Sequence, residues 1–125
     1  MSKDKIYIFD TTLRDGAQTE GVDFTIEDKT KLAKVLSDIG VDYLEGGWPG
    51  ANPVDTKFFS SPPKMNKTLF TAFGMTKKTG RSAENDPSLS PLINASCPAV
   101  CVVGKAWDFH VKIALGIKNE DNLEN

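Results

Sequence analysis

The chain has 125 residues, 39% apolar and 26% charged, with a net charge of −2. That composition fits a globular chain burying roughly two thirds of its unfolded surface; it excludes a disordered tail, and the slight acidity offers no basic footprint for nucleic acid. No apolar run approaches the ~18 residues of a membrane span, and the opening "MSKDKIYIFD" lacks the apolar core and small-residue cleavage site of a secretory signal. A cytoplasmic protein with neither nucleic-acid nor membrane partners is expected.

In chain order, "KIYIF" (Lys5–Phe9) reads as a short buried strand, because β-branched and aromatic residues run together before a turn. A helix follows. Thr25 and Asp28 have the spacing of a capping box, Leu32, Val35, Leu36 and Ile39 recur at i, i+3, i+4 and i+7, and Gly40 supplies the stop. "VDYLEGG" (Val41–Gly47) is the second buried strand. Strand, helix and strand joined this closely make a parallel βαβ crossover. "NPVDTKFFS" then carries a short helix with Asn52 as cap and Pro53 at the first helical position, followed by a Pro-Pro loop.

The unit recurs. "TLFTAFGM" (Thr68–Met75) is a third strand, "SAENDPSLSPLINAS" (Ser82–Ser96) carries a helix interrupted or delayed by Pro87 and Pro91, and "AVCVVG" (Ala99–Gly104) is a fourth strand. "AWDFHVKIALGI" predicts a last helix with Phe109, Ile113 and Ile117 on one side. Four βα units are half of a (β/α)₈ barrel, whose usual size is about 250 residues. The fold class expected is therefore α/β with parallel strands, the first half of a TIM barrel. The competing open doubly wound sheet lacks its glycine-rich phosphate fingerprint after the first strand, where Gly16 and Gly21 flank "AQTE". Cys97 and Cys101 form no Cys-x-x-Cys motif and have no second Cys/His pair for zinc, so two reduced, partly buried thiols are expected.

Arg14 and Asp15 follow the first strand, on the side where loops of parallel α/β folds face ligands. An Asp there can ligate a hard divalent cation, and Arg14 can donate a fork of hydrogen bonds to a carboxylate or a developing oxyanion. Together they suit an α-keto acid, although Asp15-Gly16 is also an ordinary turn former. Glu45 ends the second strand, where a buried carboxylate needs a partner.

The stretches "DTTLRDGAQTEGVDF", "YLEGGWPGANPVDTKFF", "TAFGMTKK" and "VGKAWDFHV" resemble the DRE-TIM metallolyases, the Claisen-condensing acyltransferases that include 2-isopropylmalate, homocitrate and citramalate synthases. Within that family they are most similar to the citramalate synthase branch. The resemblance implies that residues 1–125 are the N-terminal portion of a pyruvate carboxyltransferase-type TIM-barrel catalytic domain. It implies a metal-dependent condensation of acetyl-CoA with pyruvate to citramalate, on a route to isoleucine, with Mg²⁺, Mn²⁺ or Zn²⁺ as cofactor and a homodimeric full-length protein.

By the same resemblance Asp15 is a metal ligand, Arg14 stabilises the oxyanion, and Gln18 hydrogen-bonds substrate or a metal-bound water. Glu45 pairs with Arg14 or the metal shell, as a structural ion pair or as a direct participant. Phe73 walls the keto-acid pocket, although alternation leaves its facing open, and Trp48 packs the loop. Lys105, Trp107, Asp108 and His110 follow the fourth strand, but "DFH" is not the family's His-x-His metal pair, which occurs nowhere in the chain. The general base is likewise unassigned. Lys64, Lys67, Lys77, Lys78 and Arg81 are weighed as a site for the phosphates of CoA against scattered surface charge. The expectation is a half-domain without a complete site, inactive by itself.

Overall fold

A computed structural model describes residues 4–125. One sheet carries four parallel strands in the order β1-β2-β3-β4: β1 Phe9–Asp10, β2 Tyr43–Gly47, β3 Leu69–Met75 and β4 Ala99–Val103. Because each strand is added beside its predecessor, the order does not reverse among the described residues, which form no switch point of the kind that defines a doubly wound sheet. Residues alternate across the strands. Leu44 and Gly46 of β2 and Phe70, Ala72 and Gly74 of β3 face the helices, while Glu45, Thr71 and Phe73 point to the other side, which is the barrel interior. This is the α/β half-barrel that the four βα units predict.

The helices α1 (Ile26–Ile39), α2 (Pro53–Ser60) and α3 (Ser90–Asn94) bury one apolar layer against the sheet. Its members include Ala33, Leu44, Phe58, Phe59, Phe70 and Leu92. The start of α1 is the predicted capping box, with Thr25 Oγ1 accepting the Asp28 N–H and Asp28 accepting from the Thr25 N–H; Gly40 closes it at φ +99°. Asn52 caps α2 through the Asp55 N–H, with Pro53 at the first position as expected.

Four sequence expectations need correction. First, α1 turns a different face inward: Lys29 and Ala33 are its buried residues, Ile26, Leu32 and Leu36 are half-buried, and Val35 and Ile39 are exposed. A half-barrel leaves the flank of its first helix without a neighbouring helix to cover it. Second, the first strand is only Phe9–Asp10, and Ile6, Tyr7, Ile8 and Phe9 are exposed, since an edge strand with a single partner gains ladder bonds and burial on one side alone. Third, of the two readings of Ser82–Ser96 the interrupted helix gives way to the delayed one: a 3₁₀ turn at Ala83–Asn85 precedes a helix, α3, of only five residues. Pro87 and Pro91 remove two N–H donors, and the buried Asp86 accepts the N–H groups of Lys78, Ser88 and Leu89 instead.

Fourth, the last expected helix is a single turn, α4 (Asp108–His110), running into a π-helical turn, Val111–Leu115, that ends at Gly116. The predicted stripe of Phe109 and Ile113 is exposed, and Val111 is the residue it buries. Val100 and Val102, on the side of β4 where its helix would dock, are also about half exposed. A final helix, α5 (Asn119–Glu124), follows. Cys97 and Cys101 are free, half-buried thiols, as expected, and no helix among the described residues is long and apolar enough to cross a membrane.

Candidate functional site

The turn after β1 is built by Asp10 and Leu13. The Asp10 carboxylate accepts the Thr12 N–H at 2.9 Å and the Thr12 hydroxyl at 3.1 Å, and the Thr11 carbonyl collects the N–H groups of Arg14, Asp15 and Gly16. Leu13 is fully buried in the core and anchors the turn from below. With Leu13 turned into the helix layer, the next side chain swings to the interior of the sheet. Arg14 is thereby aimed at Glu45.

Arg14 Nε donates to Glu45 Oε2 at 2.7 Å, and Nη1 donates to Asp15 Oδ1 at 3.2 Å and to Gln18 Oε1 in a long contact of 3.5 Å. The guanidinium carbon lies 4.0 Å from the centre of the Phe73 ring, a cation–π contact. Phe73 in turn meets Trp48 edge-on, with centroids 5.3 Å apart. Alternation left the facing of Phe73 open; it is buried and faces inward. All five residues singled out in the sequence converge at the carboxyl ends of β1, β2 and β3.

The burial is graded. Glu45 is 1% exposed, so its charge is tolerable only because the guanidinium is in contact with it. The Arg14 side chain is 19% exposed and that of Asp15 64%, so the cluster opens toward solvent on the Asp15 side. Cys101 of β4, the register partner of Phe73, lines the same face. Burial pushes its thiol above the ordinary value, the nearby Glu45 carboxylate adds to that, and Arg14 opposes it in part. A raised thiol is a poor nucleophile, which fits a packing role.

A divalent cation needs several oxygen or nitrogen ligands. Among the described residues no three His, Cys, Asp or Glu side chains gather at one place. Asp15 is a single carboxylate already engaged by Arg14, so these residues do not by themselves make a metal site. His110 is exposed and lies against the Trp107 ring at 4.6 Å. The basic residues weighed for phosphate are not brought together: Lys64 and Lys67 precede β3, whereas Lys77, Lys78 and Arg81 follow its other end, a strand of seven residues away.

Three features went unread in the sequence. Lys29 is buried on α1 and bonds Asp55 and the Gly46 carbonyl, and its signal was a lysine inside the apolar stripe at i+3 from Ile26 and i−4 from Ala33. Asp55, read only as part of a capped helix, accepts the Trp48 N–H at 2.9 Å. Asp86 is fully buried, and the Asp-Pro pair after "AEN" marked it as a turn organiser.

The HMGL-like family pattern matches residues 5–124, nearly the whole chain. The chain belongs to the HMGL-like family. It is 49% identical over 122 residues to the (R)-citramalate synthase of Aquifex aeolicus, covering 96% of this chain and 23% of the relative. It is 46% identical to the (R)-citramalate synthase of Geobacter sulfurreducens over 95% of this chain and 23% of the relative. A 2-isopropylmalate synthase of Sulfurisphaera tokodaii is 33% identical, over 96% of this chain and 30% of the relative. The chain thus spans about a quarter of the length of the curated citramalate synthases it matches. Among solved structures, the hydroxymethylglutaryl-CoA lyase of Pseudomonas aeruginosa superposes with a TM-score of 0.75 at 20% identity, over 96% of this chain and 39% of that one. That likeness speaks for the fold alone: the four strands correspond to one part of a closed barrel.

Proposed function

We propose that this HMGL-like chain is the N-terminal half of the catalytic barrel of a citramalate synthase-like acyltransferase, which condenses acetyl-CoA with pyruvate and releases CoA. One observation carries the reading: the 49% identity to an (R)-citramalate synthase, against 33% to a 2-isopropylmalate synthase over the same residues. In such a condensation the acetyl methyl group loses a proton and its carbon forms a bond to C2 of pyruvate. The keto oxygen takes up the negative charge, and hydrolysis of the thioester then frees the CoA thiol.

Arg14 is the group on this chain suited to that oxygen. Its Nε and Nη1 are taken by Glu45, Asp15 and Gln18, which leaves Nη2 to donate to a developing oxyanion in a partly desolvated setting. Glu45 acts through Arg14, holding the guanidinium in one orientation. Gln18 borders the open side, and Phe73 forms the wall beside which a small keto acid fits. The reading includes a divalent cation, Mg²⁺, Mn²⁺ or Zn²⁺, which when bound polarises the keto carbonyl. Asp15 is the one ligand these residues would contribute, the others and the general base lying beyond them. A cytoplasmic, homodimeric protein of amino-acid biosynthesis goes with the same reading.

The test is reassembly in trans. The chain, mixed with the remaining segment of the Aquifex aeolicus citramalate synthase, is assayed for thiol release from acetyl-CoA with Mn²⁺ and with pyruvate or 2-ketoisovalerate. Pyruvate-dependent release that requires both segments is expected. No release from a folded reassembly, or faster release with 2-ketoisovalerate, overturns the proposal, the latter in favour of a 2-isopropylmalate synthase.

A further inference from the structure

The guanidinium of Arg14 is supported by a chain of contacts that begins at Lys29 on α1. Lys29 projects from α1 and is 2% exposed; its Nζ donates to the Gly46 carbonyl at 3.0 Å and to the Asp55 carboxylate. The other oxygen of Asp55 accepts the Trp48 N–H and the Asn52 side-chain amide, each at 2.9 Å. Three donors therefore converge on one carboxylate, and they come from α1, from the end of β2 and from the cap of α2. Gly47 crosses this point at φ +151°, where an added Cβ would come within 2.5 Å of Asp55 Cγ, so backbone and carboxylate are in direct contact. Trp48, held by its N–H, sets its ring against Phe73, and Phe73 lies beneath Arg14.

A charge pair this deeply buried is weak as a stabilising device, because desolvation offsets most of the attraction and two apolar side chains fill the same space about as well. What apolar side chains cannot supply is direction. We propose that Lys29 and Asp55 form a positioning pair for Arg14: they clamp the residue 46–52 segment, and through Trp48 and Phe73 they fix the plane on which the guanidinium rests. This rests on the reading of Arg14 as the acting group, and the test measures its setting without turnover, so the two can fail separately.

The full chain is compared with Lys29→Met, Asp55→Ala, the double variant Lys29→Met/Asp55→Leu, and Val41→Ala at the opposite end of β2 as a control for lost stability. Hydrogen–deuterium exchange reads the 46–52 amides. Modification by phenylglyoxal, followed by mass spectrometry, reads Arg14 against the exposed Arg81 as internal reference. Loss of a hydrogen bond to a charged acceptor predicts roughly tenfold faster exchange at 46–52. A rise of similar size is expected in the Arg14:Arg81 modification ratio of the pair variants, and no change in Val41→Ala. If the single variants do not fold, the double variant carries the same expectation, since it buries no lone charge. Arg14 as protected in the pair variants as in the parent chain, or equally exposed by Val41→Ala, overturns the proposal.

Discussion

Replacing Gly46 by alanine tests the closeness of sheet and helices directly beneath the site. An ideal Cβ there falls 2.3 Å from both Cε2 and Cζ of Phe70 and 3.2 Å from Cζ of Phe59. Carbon atoms settle no closer than about 3.5 Å, so the ring must move by about 1.2 Å. Phe70 is buried, stacked on Phe59 at 4.8 Å and edge-on to Phe58 at 5.4 Å, so its displacement disturbs both ring contacts. Overpacking of this kind costs up to about 3 kcal/mol, and the lower backbone entropy of alanine returns roughly 0.5–1, leaving a net loss of about 2 kcal/mol. For a chain this size that lowers the thermal midpoint by roughly 6–8 °C. Urea unfolding followed by circular dichroism measures the free-energy loss and a thermal scan the midpoint, both at one protein concentration because association adds apparent stability. Phe70→Leu in the same chain removes the clashing atoms and should recover about 1 kcal/mol relative to the sum of the single variants. A Gly46→Ala chain as stable as the parent, or a double variant that is simply additive, would refute the reasoning.

The 125-residue chain by itself should release no CoA from acetyl-CoA and pyruvate and should elute from gel filtration as an associated species, because β1 and β4 are open edges and Val100, Val102 and Phe9 are exposed; a stable monomer with turnover contradicts this. In the reassembled enzyme, Arg14→Ala should lower kcat by ~10²–10³ with metal affinity retained. Asp15→Asn should instead raise the metal concentration needed, with part of the activity returning in excess Mn²⁺, and identical behaviour of the two in a metal titration would sink the division of roles. Burial pushes the Asp86 carboxyl up, but the N–H groups of Lys78, Ser88 and Leu89 outweigh it and hold it below its ordinary value of 3.8. Its contribution is therefore complete above that value and lost as pH falls below it, so Asp86→Asn should flatten the stability–pH curve under about pH 4.

The elements whose signals are local were legible before any coordinates. The capping box at Thr25 and Asp28, the Asn52-Pro53 start and the Gly40 stop depend on neighbours within four residues, and each stands where the spacing places it. The four strands and their parallel order follow from βα alternation, and the Arg14-Asp15 turn from its place after a strand. The motifs also pointed to the family, because several long stretches in fixed order leave few alternatives.

Which way each side chain faces was settled by contacts that span many residues. Val35 and Ile39 fit the helical period as well as Ala33 does, yet the half-barrel covers one flank of α1 and leaves the other open. Phe109 and Ile113 likewise have the right spacing for a buried stripe with no surface against which to bury it. Lys29 reads as an ordinary surface lysine until Asp55, 26 residues on, and the Gly46 carbonyl come within its reach. The ring under Arg14 belongs to a strand 59 positions later, and the carboxylate that holds the guanidinium lies 31 positions away. Local periodicity specifies helices and strands; only the packing of helices on the assembled sheet, which brings distant charges out of water together, decides which of them must pair.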